Sequence, residues 1–228
     1  MPRRGCEMEA IVTQFFNIEI MVKALPLVLQ GFGITLLICV VVIPLGLVGG
    51  LLAALASVSQ NRALRWSAIA FVDLFRAVPP LVLLIFIYAG LPFAGLSLSP
   101  FAAVAIGFFL NNSAYFAEIF RAGLLSVHKG QTEAARSAGL AQTQALIHVV
   151  LPQATRNVLP DLMSNVVEVI KLTSLASVVS LGEMLHAAGL VRSLTYNASP
   201  LVLAAVIYLV MLWPVVRLIS RFERRIAS

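Results

Sequence analysis

Two stretches of this 228-residue chain contain no Asp, Glu, Lys or Arg: residues 24–61, a run of 38, and residues 77–117, a run of 41. In lipid every backbone amide must be paired within its own segment, and about 20 apolar residues carry a helix across the hydrocarbon core. The first run predicts one tilted span, 27–58, in which Pro44, Gly46, Gly49 and Gly50 mark a kink or a close helix contact. The second is too long for one crossing. Gly90, Pro92, Gly95 and Pro100 divide it into spans 71–90 and 100–120. After a polar stretch over 118–156, two further apolar runs predict spans 161–182 and 198–217. The expected fold is an all-α integral membrane protein with five transmembrane helices.

Composition agrees. The chain is 60% apolar and 11% charged, whereas soluble domains carry roughly 25% charged residues. A soluble enzyme, a disordered chain and, with Cys6 and Cys39 alone, a disulfide scaffold are excluded. Ten of the 16 lysines and arginines fall in connections on one side of the membrane and four on the other. That bias predicts an external N-terminus and a cytoplasmic C-terminus. The net charge of +6 is thus an orientation signal, and no nucleic-acid partner is expected.

Residues 1–23 form a separate segment ahead of a single transmembrane domain, 24–228. Glu7, Glu9 and Glu19 follow Arg3 and Arg4 with no apolar run close behind, so no secretory signal is predicted. Ile11, Phe15, Ile18 and Val22 share one helical face. The segment is either a periplasmic, interfacial amphipathic helix or a loosely held tail.

The polar connection between the third and fourth spans carries the most information. Thr132 suits a helix N-cap, with Glu133 at the positive end of the dipole. Glu133 and Arg136 can pair three residues apart, and Gly139 fits a helix stop. Ala134, Ala135 and Ala138 would let another backbone approach closely. A second helix from about Gln142 would bury Leu146 and Val150 before Leu151-Pro152 ends it. Physical reasoning alone leaves two readings, a docking element and an ordinary helical hairpin.

Glu133-Ala134-Ala135, Gly139, Val149 and Leu151-Pro152, at these spacings, resemble the cytoplasmic loop motif of ABC importer permeases. The resemblance runs from Gly31 to Glu223 and is to the polar amino-acid uptake (His/Glu/Gln/Arg/opine-type) branch. It rests on Leu29-Gln30-Gly31 with Thr35-Leu36, Phe75-Arg76-Ala77, the run from Ala114 to Gly123, Gly130-Gln131, Leu151-Pro152-Gln153-Ala154 and Lys171 with Thr173-Ser174-Leu175. Leu172 departs from the family, which often has Asp there, and Val78-Pro79-Pro80 replaces a more usual Thr-Pro-Leu.

The resemblance implies a cytoplasmic coupling helix between spans 3 and 4 that seats on an ATPase, with Gly130, Gln131, Glu133, Ala134, Ala135, Gly139, Leu151 and Pro152 as the docking loop. It implies a homo- or heterodimer with a similar permease chain, two cytoplasmic ATPase subunits and an external solute-binding protein. The setting is the cytoplasmic (inner) membrane of a bacterium, with lipid around the spans. This chain binds no cofactor; ATP and Mg are used by the partner. The implied function is import of a polar amino acid by alternating access.

Polar residues inside spans are costly and tend to face protein or water. Asn111, Asn112, Tyr115, Glu118 and Thr173 are candidates for the translocation path, because a zwitterion needs donors for its carboxylate and acceptors for its ammonium. Adjacent helix positions point about 100° apart, so Asn111 and Asn112 are not expected to face one cavity. Arg76, Glu168, Lys171 and Ser174 are structural or path residues, with Glu168 and Lys171 placed to neutralise each other. No P-loop, zinc-protease or nucleophile-elbow motif occurs, and the three histidines have no metal-ligand spacing, so neither an enzyme nor a metal site is expected. The alternatives are an importer of an opine, cystine or another amino-acid-like solute, and a carrier driven by an ion gradient.

Overall fold

The computed structural model describes Glu9 and residues 11–226, with side chains as far as Arg221. The remaining residues of the N-terminal segment lie outside this description. Among the described residues the chain is helical throughout, with no strand.

The first long helix, α1 (Ile18–Ser57), is capped by Asn17, whose side chain accepts from the Ile20 amide at 3.2 Å. Forty residues make it about 60 Å long, twice the hydrocarbon thickness of ~30 Å. Pro26 and Pro44 lie inside it. Just before it, residues 11–15 form a short helical piece tied to the far end of the fold. Asn197 donates to the Thr13 carbonyl at 2.9 Å, and the Ala198 amide donates to the Gln14 carbonyl at 2.9 Å. Ile11, Phe15, Ile18 and Val22 are all exposed.

The predicted second span, 71–90, is not one helix. Helix α2 (Arg62–Ala77) starts on Asn61 and stops at Val78, which is extended at φ −81°, ψ 126°. Pro79 is the cause, since proline disfavours helical geometry in the residue before it. The chain restarts as α3 (Pro80–Ile85), widens into a π turn (Phe86–Gly90) and tightens into a 3-10 turn (Leu91–Ala94). The two halves meet at 99°.

Helix α4 (Pro100–Ser126), capped by Ser99, supplies the third span. It packs along α1 where the α1 glycines remove bulk: a β-carbon on Gly50 would come within 2.5 Å of the Phe116 β-carbon. The connection folds as α5 (Lys129–Ser137), α6 (Gln142–Ala145), a π turn (Leu146–Val150) and α7 (Leu151–Asn157). Then α8 (Leu159–Leu172) runs into a 3-10 helix (Thr173–Val179), which ends earlier than the expected limit at 182. Next comes α9 (Met184–Thr195), absent from the sequence-based expectation, and last α10 (Ser199–Ile226). Among the described residues four helices are long and apolar enough to cross a membrane, or five crossings if the bent pair counts as one.

Ile38, Val42, Leu84, Phe108 and Phe116 form the buried centre, with α1 and α4 as its spine. The outer surface keeps large apolar side chains exposed, including Leu52, Trp66, Leu209 and Val210. Such a surface suits lipid or a partner chain rather than water.

Candidate translocation site

On α4, Asn111, Asn112 and Tyr115 line a cavity of 220 Å³ whose opposite wall is Asn165, Glu168 and Leu172 of α8, with Pro80 of α3 at its edge. The α8 residues stand at i, i+3 and i+7 and so share one helix face. Both asparagines line this one cavity, contrary to expectation. Their amide nitrogens are turned to backbone: Asn111 donates to Phe75 O at 3.0 Å and Asn112 to Phe108 O at 2.8 Å. The Asn111 bond reaches the last turn of α2 just before the corner at Pro79. Asn165 was not predicted as a site residue, and its amide nitrogen is shut from solvent without an acceptor. Leaving such a donor unpaired costs about 1–3 kcal/mol.

The other predicted path residues lie apart from this cavity. Glu118, one turn beyond Tyr115, borders a second cavity of 270 Å³ with Asp73 and Arg121. Arg121 binds its carboxylate through two nitrogens, and Arg76 approaches it at 3.7 Å. The Arg76 guanidinium also lies over the Tyr115 ring, 5.7 Å from its centre, and so links the two cavities. Thr173 is fully buried, donating to Ile170 O at 2.7 Å with the Tyr208 hydroxyl 3.4 Å away. Lys171 and Glu168 form the expected ion pair, and Ser174 donates to the Lys171 carbonyl at 2.9 Å. Lys171 and Ser174 border a separate groove against α10.

Sequence reasoning also passed over Glu183. It is completely buried and caps α9, accepting from the Leu185 and His186 amides at 2.8 and 2.7 Å. An acidic residue directly ahead of a helical run was the signal that could have found it.

In the polar connection, α5 begins one turn earlier than expected. His128, in extended geometry, accepts from the Gly130 amide at 3.1 Å, so the cap is His128 and not Thr132. Gly130 and Gln131 fall in the first turn. Glu133 and Ala134 are exposed, and Ala135 is turned inward. Glu133 and Arg136 do not pair; both point outward on their own. Gly139 ends the helix at φ +88°. Its amide donates to Arg136 O at 3.0 Å and that of Leu140 to Ala135 O at 3.2 Å, the paired bonds of a Schellman turn.

Leu151-Pro152 does not end the second helix. The π turn just ahead widens the backbone, and Gln153 takes up the Val149 carbonyl at 2.9 Å, so α7 continues through Pro152 to Asn157. This arm is fixed to α4. Asn157 donates to Ser126 at 2.8 Å, and a β-carbon on Gly123 would stand 2.7 Å from Ala154 O.

Apolar spans around a polar cavity, with an exposed short helix on an arm anchored to one span, make this a membrane permease by build. The chain belongs to the family of binding-protein-dependent transport system inner membrane components, whose model matches residues 46–228. It is 37% identical over 209 residues to the probable amino-acid ABC transporter permease protein YckA of Bacillus subtilis, covering 91% of each chain. It is 34% identical over 211 residues to the probable glutamine ABC transporter permease protein GlnM of the same organism, covering 92% of this chain and 98% of that one. Among solved structures, a chain of an amino acid ABC transporter crystallised with histidines superposes with a TM-score of 0.82 at 36% identity, covering 90% of this chain and 96% of that chain. A chain of the methionine transporter MetNI in an inward-facing conformation matches at 0.74 with 21% identity, a likeness of fold, covering 87% and 95%.

Proposed function

We infer that the chain is the membrane-spanning permease subunit of an amino-acid ABC importer and has no catalytic activity of its own. The observation that carries the mechanism is the arm. Helix α5, closed by the Gly139 turn, presents Glu133 and Ala134 outward, while α7 is anchored on α4, the helix that bears Asn111, Asn112 and Tyr115. A displacement of α5 by a docked partner would reach the cavity wall through this arm and its anchor on α4. On this reading α5 is a cytoplasmic coupling helix, the N-terminus is outside, the C-terminus is cytoplasmic, and the membrane is the bacterial inner membrane. Two ATPase subunits that use ATP and Mg drive the movement, a second permease chain, identical or similar, completes the path, and a solute-binding protein delivers substrate. The 220 Å³ cavity holds the amino acid in transit.

Purification of the tagged chain from its native membranes in mild detergent tests this. Co-purification of a P-loop ATPase is expected, together with loss of uptake in Glu133→Lys and Gly139→Pro at normal membrane abundance. A chain that purifies alone, and whose transport collapses with the proton or sodium gradient, would instead be a gradient-driven carrier.

A further inference from the structure

Helix α10 ends in a row of residues that the transport reading does not use. Trp213, Pro214, Arg217, Leu218 and Arg221 line one groove of 550 Å³. At 100° per residue they fall within an arc of about 140°. Ile219, on the other side of the helix, is buried, while Trp213 and Leu218 are exposed, so the groove faces away from the protein. The Arg217 guanidinium lies over the Trp213 ring, 5.6 Å from its centre, which keeps that charge at the groove. Among the described residues neither Arg217 nor Arg221 is in an ion pair.

The order of these groups along α10 matches a phospholipid. Leu209 and Val210, a turn before Trp213, are exposed and apolar, a surface for acyl chains. Trp213 suits the boundary, where an indole ring has one apolar and one wet side. Arg221 stands one turn, about 6 Å, beyond Arg217. That is the depth of one headgroup layer, since the polar regions add about 5–7 Å to each side of the hydrocarbon core. The phosphate of a zwitterionic lipid is balanced by its own headgroup cation. An anionic lipid brings a net charge to two guanidinium groups that lack one, and their forks suit phosphate oxygens. We propose that the end of α10 is a binding site for an anionic phospholipid, its phosphate held by Arg217 and Arg221 and an acyl chain lying in the groove against Trp213 and Leu218. This requires only that α10 spans the membrane, whatever solute is carried.

The test is tryptophan quenching by lipid bromine, which acts only near contact. The chain with its associated subunits is reconstituted into phosphatidylcholine vesicles containing increasing fractions of brominated phosphatidylglycerol or brominated phosphatidylcholine. The Trp213 signal is the difference from Trp213→Phe. Half-quenching is expected at about fivefold less of the brominated phosphatidylglycerol for each arginine engaged. Arg217→Gln combined with Arg221→Gln should bring the two lipids level. Trp66 is the control, read as the difference from Trp66→Phe: it is exposed and has Arg62 and Arg65 close in sequence, but no ring contact with either. Its preference should be much the smaller. An equal preference at Trp66 would mean general attraction to a basic surface. A Trp213 that neither lipid quenches would mean that a protein partner covers the groove. A preference lost in inorganic phosphate, but kept in chloride of equal ionic strength, would mean a site for free anions. Each of these three outcomes overturns the proposal, as does an unchanged preference in the double variant.

Discussion

Gly31 of α1 lies against the backbone of Glu183: a β-carbon on Gly31 would stand 2.8 Å from both the carbon and the oxygen of the Glu183 carbonyl. One turn on, the Thr35 hydroxyl accepts from the Met184 amide at 3.3 Å. The Glu183 carboxylate caps the two amides that follow. The start of α9 is therefore held by a backbone contact on one side and by its own cap on the other.

Gly31→Ala should force this contact apart and destabilise the protein by about 1–3 kcal/mol, the usual cost of overpacking. Gly33→Ala is the control, since a β-carbon there meets nothing within 4 Å. A lower melting temperature in detergent for the first variant, with no change for the second, is expected. Equal melting of the two would contradict the packing account.

The Gly139 turn gives a second expectation. An alanine at φ +88° carries a backbone cost of about 1 kcal/mol. Asparagine, which tolerates that region better, should cost less. Uptake and ATPase co-purification should fall in the order Gly139, Gly139→Asn, Gly139→Ala, with membrane abundance unchanged. Full coupling in Gly139→Ala would show that the turn is not needed to hold α5.

Asn111→Leu removes the donor that meets the Phe75 carbonyl beside the α2–α3 corner. Leaving that carbonyl unpaired should cost about 1–3 kcal/mol. Faster hydrogen exchange is expected at Val78 and neighbouring amides, together with reduced transport. Unaltered exchange there would mean that the corner holds itself.

The two arginines that meet Glu118 should not be equal. Arg76 and Glu118 are 41% and 30% exposed and 3.7 Å apart, which places their coupling within about 1 kcal/mol. The two-nitrogen contact of Arg121 with Glu118 is the stronger geometry. Double-mutant cycles on detergent melting should give the larger coupling for Arg121. A larger value for Arg76 would make its contact the principal one.

Much of this fold is legible in the residues, and the misses have physical causes. The long spans follow from absent charge, and the Gly139 stop from the need for a left-handed residue. Hydropathy ran unbroken through Val78-Pro79, so the corner was hidden, although the restriction proline places on its predecessor was available. Thr132 lost the cap to His128 because the choice depends on where the chain leaves α4. Glu183 and α9 were missed because a single carboxylate in an apolar setting reads as a loop residue until its two amide partners are seen. The cavity itself was half visible. Asn111, Asn112 and Tyr115 were evident on one helix, but Asn165 and Leu172 belong to another, and only packing brings them opposite.

The corner at Val78-Pro79 has a mechanical consequence. No ladder of helix hydrogen bonds runs from α2 into α3, so the two arms meet as panels on a hinge pin rather than as one stiff rod. A rod would have to swing both of its ends whenever either was pushed. Panels can be turned one at a time, so the arm that begins at Pro80 can tilt without carrying Arg62–Ala77 with it.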